Sequence, residues 1–526
     1  MKKTLCWALL LLLAGCQLTQ SGRDVSQNSQ EENTTQAVLS HQTDNESQIE
    51  NTVITRTESK HKLSPEEVDD LWQRIGMQLT LPVPDDKAIN YYRQWYIKHP
   101  HHLQTVAKRA TPFLYLITKK IEQRHMPLEL ALLPVVESAF DVFAYSYGRA
   151  AGLWQFVPGT GKLYGLKQNY WYDGRRDVNA ATDAALDYLD NLNKQFDGNW
   201  NNAIAAYNSG EGRVARAIKF NTRKGKPTDF FSLRLPKETS SYVPKLLALA
   251  DVIAHKDKYG IKLPRIANKP VLIQVNPKKQ LDLALAAQFA HISVRTLQTY
   301  NPGFNRWSTA PNGPYDLLIP INKVKQFNTA LKEHKGKGVK LVRYKVKSGD
   351  SLITLSQKYK TTPEVLKKAN VLRSNLIRTG QYLIIPTSVK DEKTYKLSVA
   401  NRLKKIQSQT RGKYRLTYIV KPGDSLWLIA KHQGISHHAL AKWNGMSPRD
   451  PLKIGKKLVV WKNASDGAII RSLFYTIKRG DTLSDIASKF KVHVKDIVKW
   501  NNLSHQKYLK PGQRIKLYVD VTKVTV

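Results

Sequence analysis

The sequence predicts a multidomain chain in which a mainly α-helical domain is followed by small α+β modules of strand–helix–helix–strand (βααβ) plan. Three observations predict this. At 526 residues the chain exceeds what one ordinary core accommodates. Between about 69 and 254, apolar residues recur at three- and four-residue steps, as in Ala181, Ala185, Leu189, Leu192 and Phe196, which gives one buried helix face. Downstream, YKVKSGDSLITLSQKY from Tyr344, YIVKPGDSLWLIAKHQ from Tyr418 and YTIKRGDTLSDIASKF from Tyr475 align without forcing, the mark of a repeat.

The N-terminus comes first in the chain and indicates a compartment. Lys2 and Lys3 precede an apolar run from Leu5 to Leu13, and small residues lead into Cys16, the layout of an export signal. Leu13-Ala14-Gly15-Cys16 resembles the lipobox of bacterial lipoproteins. That resemblance implies cleavage of a signal at 1–16, acylation of Cys16 and a membrane contact through its lipid. By the same resemblance, Gln17 in place of an aspartate points to the outer membrane, with the chain facing the periplasm. Cys6 leaves with the signal, so the mature chain has one cysteine and no internal disulfide. Residues 17–60 are rich in Gln, Asn, Ser, Thr and Glu and almost lack aromatics, so they read as a tether that cannot bury a core. No later run reaches the roughly 20 apolar residues that span a bilayer.

Lys and Arg total 83 against 42 Asp and Glu, a net charge of +41. Such an excess fits a polyanionic partner: nucleic acid, anionic lipid or an acidic wall polymer. An exported lipoprotein rarely meets nucleic acid, so that partner is not expected, and the chain is expected to act as a monomer.

Each repeat opens on alternating apolar residues, a strand signal, followed by a Gly-Asp turn and a Ser or Thr suited to a helix N-cap. Helical spacing follows at Leu352 and Leu355, at Leu426, Ile429 and Ala430, and at Leu483, Ile486 and Ala487. Asn370, Asn444 and Asn501 each stand 20 residues after Asp350, Asp424 and Asp481, and a glycine at 380, 455 or 512 precedes a closing strand. These segments, at 342–387, 416–461 and 473–519, resemble LysM modules, which implies binding of N-acetylglucosamine-containing glycan. Their uneven, Lys- and Ser-containing linkers at 387–417 and 461–474 read as flexible, giving beads on a string. The stretch 256–340 contains a weak echo of the same plan from Leu281 to Pro320 without the Gly-Asp turn. It reads equally as a degenerate module or an unrelated connector.

In the helical domain, Glu137-Ser138 closes a nearly all-apolar run that begins at Pro127. A carboxyl at such a place is expected to be desolvated, which raises its pKa and suits a general acid. Taken alone, it reads more readily as a helix-end glutamate that solvates or caps a turn. Gly152-Leu153-Trp154-Gln155 and Ala205-Ala206-Tyr207-Asn208-Ser209-Gly210 place glycines beside aromatic and amide groups. That composition fits a saccharide groove in which Trp154 stacks on a sugar and Gln155 hydrogen-bonds, although each motif taken singly reads more readily as a turn with core aromatics.

Together, over about 110–255, these three motifs resemble in order and spacing the goose-type-lysozyme-like domain of the soluble lytic transglycosylases. With the lipobox and tandem LysM modules, the whole arrangement is similar to the D-type branch of the membrane-bound enzymes. The resemblance implies a catalytic domain at 61–255 that cleaves the β-1,4 bond between N-acetylmuramic acid and N-acetylglucosamine in peptidoglycan and leaves 1,6-anhydromuramic acid ends. It implies Glu137 as the single acid/base, with Ser138, Gln155, Tyr207, Asn208 and Tyr242 lining or supporting the saccharide cleft. Trp154 stands where many relatives carry Met. No cofactor is implied, and no metal-ligand spacing such as His-Glu-x-x-His or Cys-x-x-Cys occurs. Two rivals stay open: a hydrolase in which an aspartate such as Asp173 positions water, and a wall-binding scaffold without activity.

Overall fold

The computed structural model describes residues 63–334, 338–463, 470–503 and 509–520. Cys16, the signal and the 17–60 tether lie outside the described residues. Among the described residues no helix is long and apolar enough to cross a membrane.

The helical domain runs through α1 (Leu71–Gly76), α2 (Lys87–Lys98), α3 (Pro100–Ala110), α4 (Leu114–Glu122) and α5 (Leu133–Ser138). It continues with α6 (Pro158–Leu163), α7 (Val178–Gln195), α8 (Trp200–Ser209), α9 (Glu211–Arg223) and α10 (Lys237–Ala254). Asp70, Asp86, Asp177 and Asn199 start their helices by accepting N–H groups of the first turn, donors that a helix leaves unpaired. The apolar face expected on α7 is buried at Ala181, Ala185, Leu189 and Leu192. Buried residues occupy nearly every position of α10 from Tyr242 to Ile253, as a helix surrounded by others requires. It packs on α1, α2, α5 and α8, so it is the post on which the site is mounted.

The following unit consists of β1 (Leu272–Val275), α11 (Leu283–Phe289), α12 (Val294–Tyr300), β2 (Leu317–Pro320) and α13 (Val324–Glu333). The first repeat forms β3 (Lys340–Lys345), α14 (Leu352–Lys358), α15 (Pro363–Ala369) and β4 (Tyr382–Thr387). A linker helix, α16 (Val399–Ser408), leads to β5 (Tyr414–Ile419), α17 (Leu426–Gln433), α18 (His437–Trp443) and β6 (Lys457–Lys462). The third repeat forms β7 (Ile470–Thr476), α19 (Leu483–Phe490), α20 (Val494–Asn501) and β8 (Arg514–Asp520). In each unit the two strands pair antiparallel, so the stretch at 256–340 shares the βααβ plan.

The recurring residues of the repeats have specific tasks. Ser351, Ser425 and Thr482 cap the first helix of their modules. Asp350, Asp424 and Asp481 each accept a tyrosine hydroxyl from the opening strand and a turn N–H, at 2.7 to 2.9 Å. Asn370, Asn444 and Asn501 each clamp the closing strand: the amide donates to a helix carbonyl and a strand carbonyl and accepts the strand N–H, at 2.6 to 2.9 Å. Asn301 makes the same three bonds to Leu297 and Leu318. Gly380, Gly455 and Gly512 adopt φ of 80° to 87° at the turn into the closing strand, a region that disfavours other residues.

One expectation fails. The linker 387–417 is not a flexible string but folded and packed. Tyr395 is buried and donates its hydroxyl to Asp282 at 2.9 Å, and Asp282 also accepts the Val389 N–H at 2.8 Å. Val399 N–H bonds the Asn305 carbonyl, and Ile406 and Leu403 lie against Gly445 of the second repeat. The second repeat also reaches the helical domain, where Asp450 accepts from Tyr145 at 2.9 Å and pairs with Arg149 at 3.0 Å. A buried tyrosine and an amphipathic helix supply enough surface to fix a segment that its Lys and Ser content reads as loose.

Replacing Asn444, which is 1% exposed, with alanine strands the Val459 N–H and two carbonyls in the interior. The expected cost is about 1–3 kcal/mol for the buried groups left unpaired. Hydrogen exchange on the whole chain is expected to show faster exchange across β5 and β6 with protection elsewhere unchanged.

Candidate active site

Glu137 sits in the last turn of α5, a short helix whose preceding residues Leu133, Pro134 and Val135 are buried. The chain then leaves the helix through Ala139 at φ 49° and Phe140 at φ 56°. Two successive non-glycine residues in the left-handed region cost of order 1–3 kcal/mol each. They persist because Ala139 and Phe140 N–H groups close onto the Val135 and Pro134 carbonyls at 3.0 and 3.1 Å, and Phe140 is 1% exposed. The sharp exit leaves the Glu137 side chain at the helix end, partly accessible on an otherwise buried wall.

Tyr242 of α10 donates its hydroxyl to Glu137 Oε1. Burial pushes the Glu137 carboxyl up to about 7; the Tyr242 bond opposes that rise and the nearby charge of Glu238 adds to it. Tyr207 and Tyr242 are both held well above the ordinary phenol range, first by burial and then by the Glu137 charge. The carboxyl is therefore flanked by two neutral phenols.

The second and third motifs are stitched to this helix end. Ser138 Oγ lies 2.9 Å from the Pro134 carbonyl and 3.0 Å from that of Leu153, and Tyr207 donates to the Trp154 carbonyl at 2.8 Å. Ser138 thus holds the Gly-Leu-Trp-Gln loop against α5. Gln155, at φ 48°, donates from Nε2 to the Gly152 carbonyl at 2.7 Å. Gly152 has φ +81°, and a Cβ there would lie 2.0 Å from the Arg175 carbonyl oxygen, so only glycine fits. Asn208 Oδ1 accepts from Thr239 at 2.9 Å, tying α8 to the start of α10. The structure therefore brings Tyr242 and Tyr207 to Glu137 and ties Ser138 and Tyr207 to the Leu153–Trp154 segment, while Gln155 and Asn208 bond Gly152 and Thr239.

Trp154 overturns an expectation. It is 0% exposed and donates its indole N–H to Thr182 at 3.0 Å, so it is a core residue and not a stacking platform. Asp173, the candidate water-positioning carboxylate, is buried between Arg175 at 2.9 Å and Arg176 at 2.5 Å, and these guanidiniums hold it below the usual carboxylate range. Asp177 caps α7 and accepts the Tyr172 hydroxyl at 2.9 Å. Neither is shaped to act as a base. Sequence reasoning missed Glu238, which stands in the first turn of α10; its place four residues before Tyr242 was the available signal.

The family pattern described as "Transglycosylase SLT domain" matches residues 115–230. The LysM domain pattern matches 344–386, 418–461 and 475–517, and "Lytic transglycosylase MltD, LysM-like domain" matches 271–336. Membrane-bound lytic murein transglycosylase D of Escherichia coli (strain K12) is 37% identical over 453 residues, 86% of each chain. The chain belongs to the lytic murein transglycosylase D family. It is accordingly a lytic transglycosylase with LysM modules. A protein named for tributyltin chloride resistance in Alteromonas sp. (strain M-1) is 43% identical over 164 residues, 31% of this chain and 77% of that one. The solved 70 kDa soluble lytic transglycosylase of Escherichia coli aligns at 19% identity over 36% of this chain and 32% of its own, with a TM-score of 0.25. Assignment to the D family thus rests on sequence.

The raised carboxyl has a stability signature. Its folded pKa, about 7, lies above the ordinary 4.5, so the folded chain binds a proton across that window that the unfolded chain does not. The associated stability is full below the lower value and is lost as pH rises toward the upper one. Glu137→Gln does not titrate. It is expected to raise the melting midpoint relative to the parent by about 2–4 °C at pH 8 and to leave it unchanged at pH 4, as read by scanning calorimetry.

Proposed function

We propose that Glu137 is the single catalytic acid/base of a reaction that cuts peptidoglycan without water. The observation that carries this reading is one desolvated carboxyl, pushed up to about 7, whose hydrogen-bond partner is a neutral phenol, while Asp173 is committed to arginines and Asp177 to a helix cap. A two-carboxylate hydrolysis needs a second free carboxylate placed across the bond. Here the substrate supplies the second group. Protonated Glu137 gives its proton to the oxygen linking N-acetylmuramic acid to N-acetylglucosamine, and the C1–O bond breaks. The 2-acetamido group shares the positive charge at C1. Glu137, now ionised, removes the proton of the C6 hydroxyl as O6 bonds to C1, which closes the 1,6-anhydro ring and restores the acid.

In this reading Tyr242 orients the carboxyl, Gln155 and Tyr207 line the cleft, and Ser138 and Asn208 act as positioning residues through the backbone and Thr239. The LysM modules hold the chain on glycan, and several weak sites on one polymer raise one another's effective concentration. We further propose that Cys16 carries the lipid that anchors the chain to the outer membrane, facing the periplasm. The lipobox-like sequence supports this, as does the membrane-bound character printed in the relative's name.

Mass spectrometry of sacculus digests is the direct test. The parent is expected to release fragments ending in 1,6-anhydromuramic acid, and Glu137→Gln to release about 10²–10⁴-fold less; reducing ends instead would establish hydrolysis.

Tyr242→Phe gives a second test. The Tyr242 bond holds the Glu137 pKa down, so its removal is expected to move the alkaline limb of the pH–rate profile to higher pH. The peak rate is expected to fall about 10- to 100-fold through lost orientation. A limb that stays in place would dissociate it from Glu137.

A further inference from the structure

The helical domain, α16 and the second repeat enclose a cavity of about 860 Å³, within the size range of small-ligand sites. Its charge is unbalanced. Arg175, Arg176, Arg402, Arg411, Lys442 and Lys456 line it against Asp141, Asp173 and Asp450. Asp173 is taken by Arg175 and Arg176, and Asp450 by Arg149 and Tyr145. Asp141 accepts the Phe143 N–H at 2.9 Å.

Two guanidiniums in this cavity lack a full set of acceptors. Arg176 is 9% exposed, and its buried Nε has no hydrogen-bond partner among the described residues. Arg402 lies with its guanidinium 4.3 Å over the Phe143 ring, and its Nε is likewise buried and unpartnered. Burial and then the Arg176 charge lower Arg402 to about 9, with Asp141 and Asp173 opposing. Asp141 and Asp173 offset part of this charge, but the two buried Nε donors stay unmet, which is costly until a further acceptor reaches them. A planar fork of N–H groups matches a carboxylate in particular.

The walls narrow the choice. Phe143, Tyr145, Leu403 and Ile406 place apolar surface beside the cations, which suits a short peptide of mixed apolar and acidic groups better than a bare phosphate. The loop joining Glu137 to Gln155 supplies one wall through Asp141 to Tyr147, so the cavity adjoins the segment that carries the cleft.

We propose that this cavity binds carboxylates of the peptide stems carried by a peptidoglycan strand, with Arg176 and Arg402 as the donors. The inference rests on peptidoglycan being the substrate, as argued above. It makes the second repeat and α16 part of a substrate-selecting site and not merely an anchor.

The test uses the full chain carrying Glu137→Gln, so that binding is read without turnover. The probes are glycan strands with peptides intact and the same strands stripped of peptide by an amidase. Intact strands are expected to bind about tenfold tighter, the worth of one charge-assisted contact. Adding Arg402→Gln is expected to abolish most of that preference while leaving affinity for stripped strands unchanged, and Arg402→Lys to keep part of it. Lys456→Gln, at a half-buried lining residue from the second repeat, is expected to reduce the preference independently, which covers misfolding of the Arg402 variant. Equal affinity of the parent for both probes would overturn the proposal. So would a preference that neither variant changes, or equal losses on both probes. Anhydro products from the chain with Glu137 intact report on the enzymatic reading separately, so either reading can fail alone.

Discussion

The burial of one carboxyl that stays partly accessible is the constraint on which the helical domain depends. Burying Glu137 costs free energy whenever it is ionised, and the fold meets that cost with geometry. A short apolar helix brings the residue to its end, and two left-handed residues turn the chain away at once. α10, buried along most of its length, supplies Tyr242 from a fixed position. Ser138 and Tyr207 then fasten the adjacent loop through the carbonyls of Leu153 and Trp154.

The small units solve a different problem. A two-stranded sheet with two short helices has little core, so each relies on a few polar contacts placed where the strands would otherwise part. The asparagine clamp is present in all four, including the stretch that lacks the Gly-Asp turn. In that stretch Asp282 holds the helix N-cap position that Ser351, Ser425 and Thr482 hold in the repeats, and it is met by Tyr395 from the following linker. The module is thereby completed by residues outside its repeat.

Much of this was legible in the sequence, and the failures have physical causes. Helical spacing identified the buried face of α7, and the repeat register located the asparagines and aspartates although not what they bond. The cleft residues were found as motifs, because their spacing is set by which backbone atoms they must reach. Trp154 was misread because a loop has no periodicity to say which way a side chain faces, and its indole turned inward to Thr182. The linker was misread because composition averages over residues, whereas a buried Tyr395, 2% exposed, and the packing of α16 fix the segment. The arginine cluster went unnoticed because its members come from 175–176 and 402, which nothing in the one-dimensional pattern relates.

The folded linker changes what tandem modules do. Freely jointed binding units would let an enzyme sample a strand at any spacing, with each encounter costing the entropy of straightening the chain. Here that entropy is already spent when the protein folds, so the second repeat meets a strand at a set offset from the cleft. On the proposed role of Glu137, the chain would act as a ruler laid along the polymer: where the module grips would set which linkage lies beneath the acid.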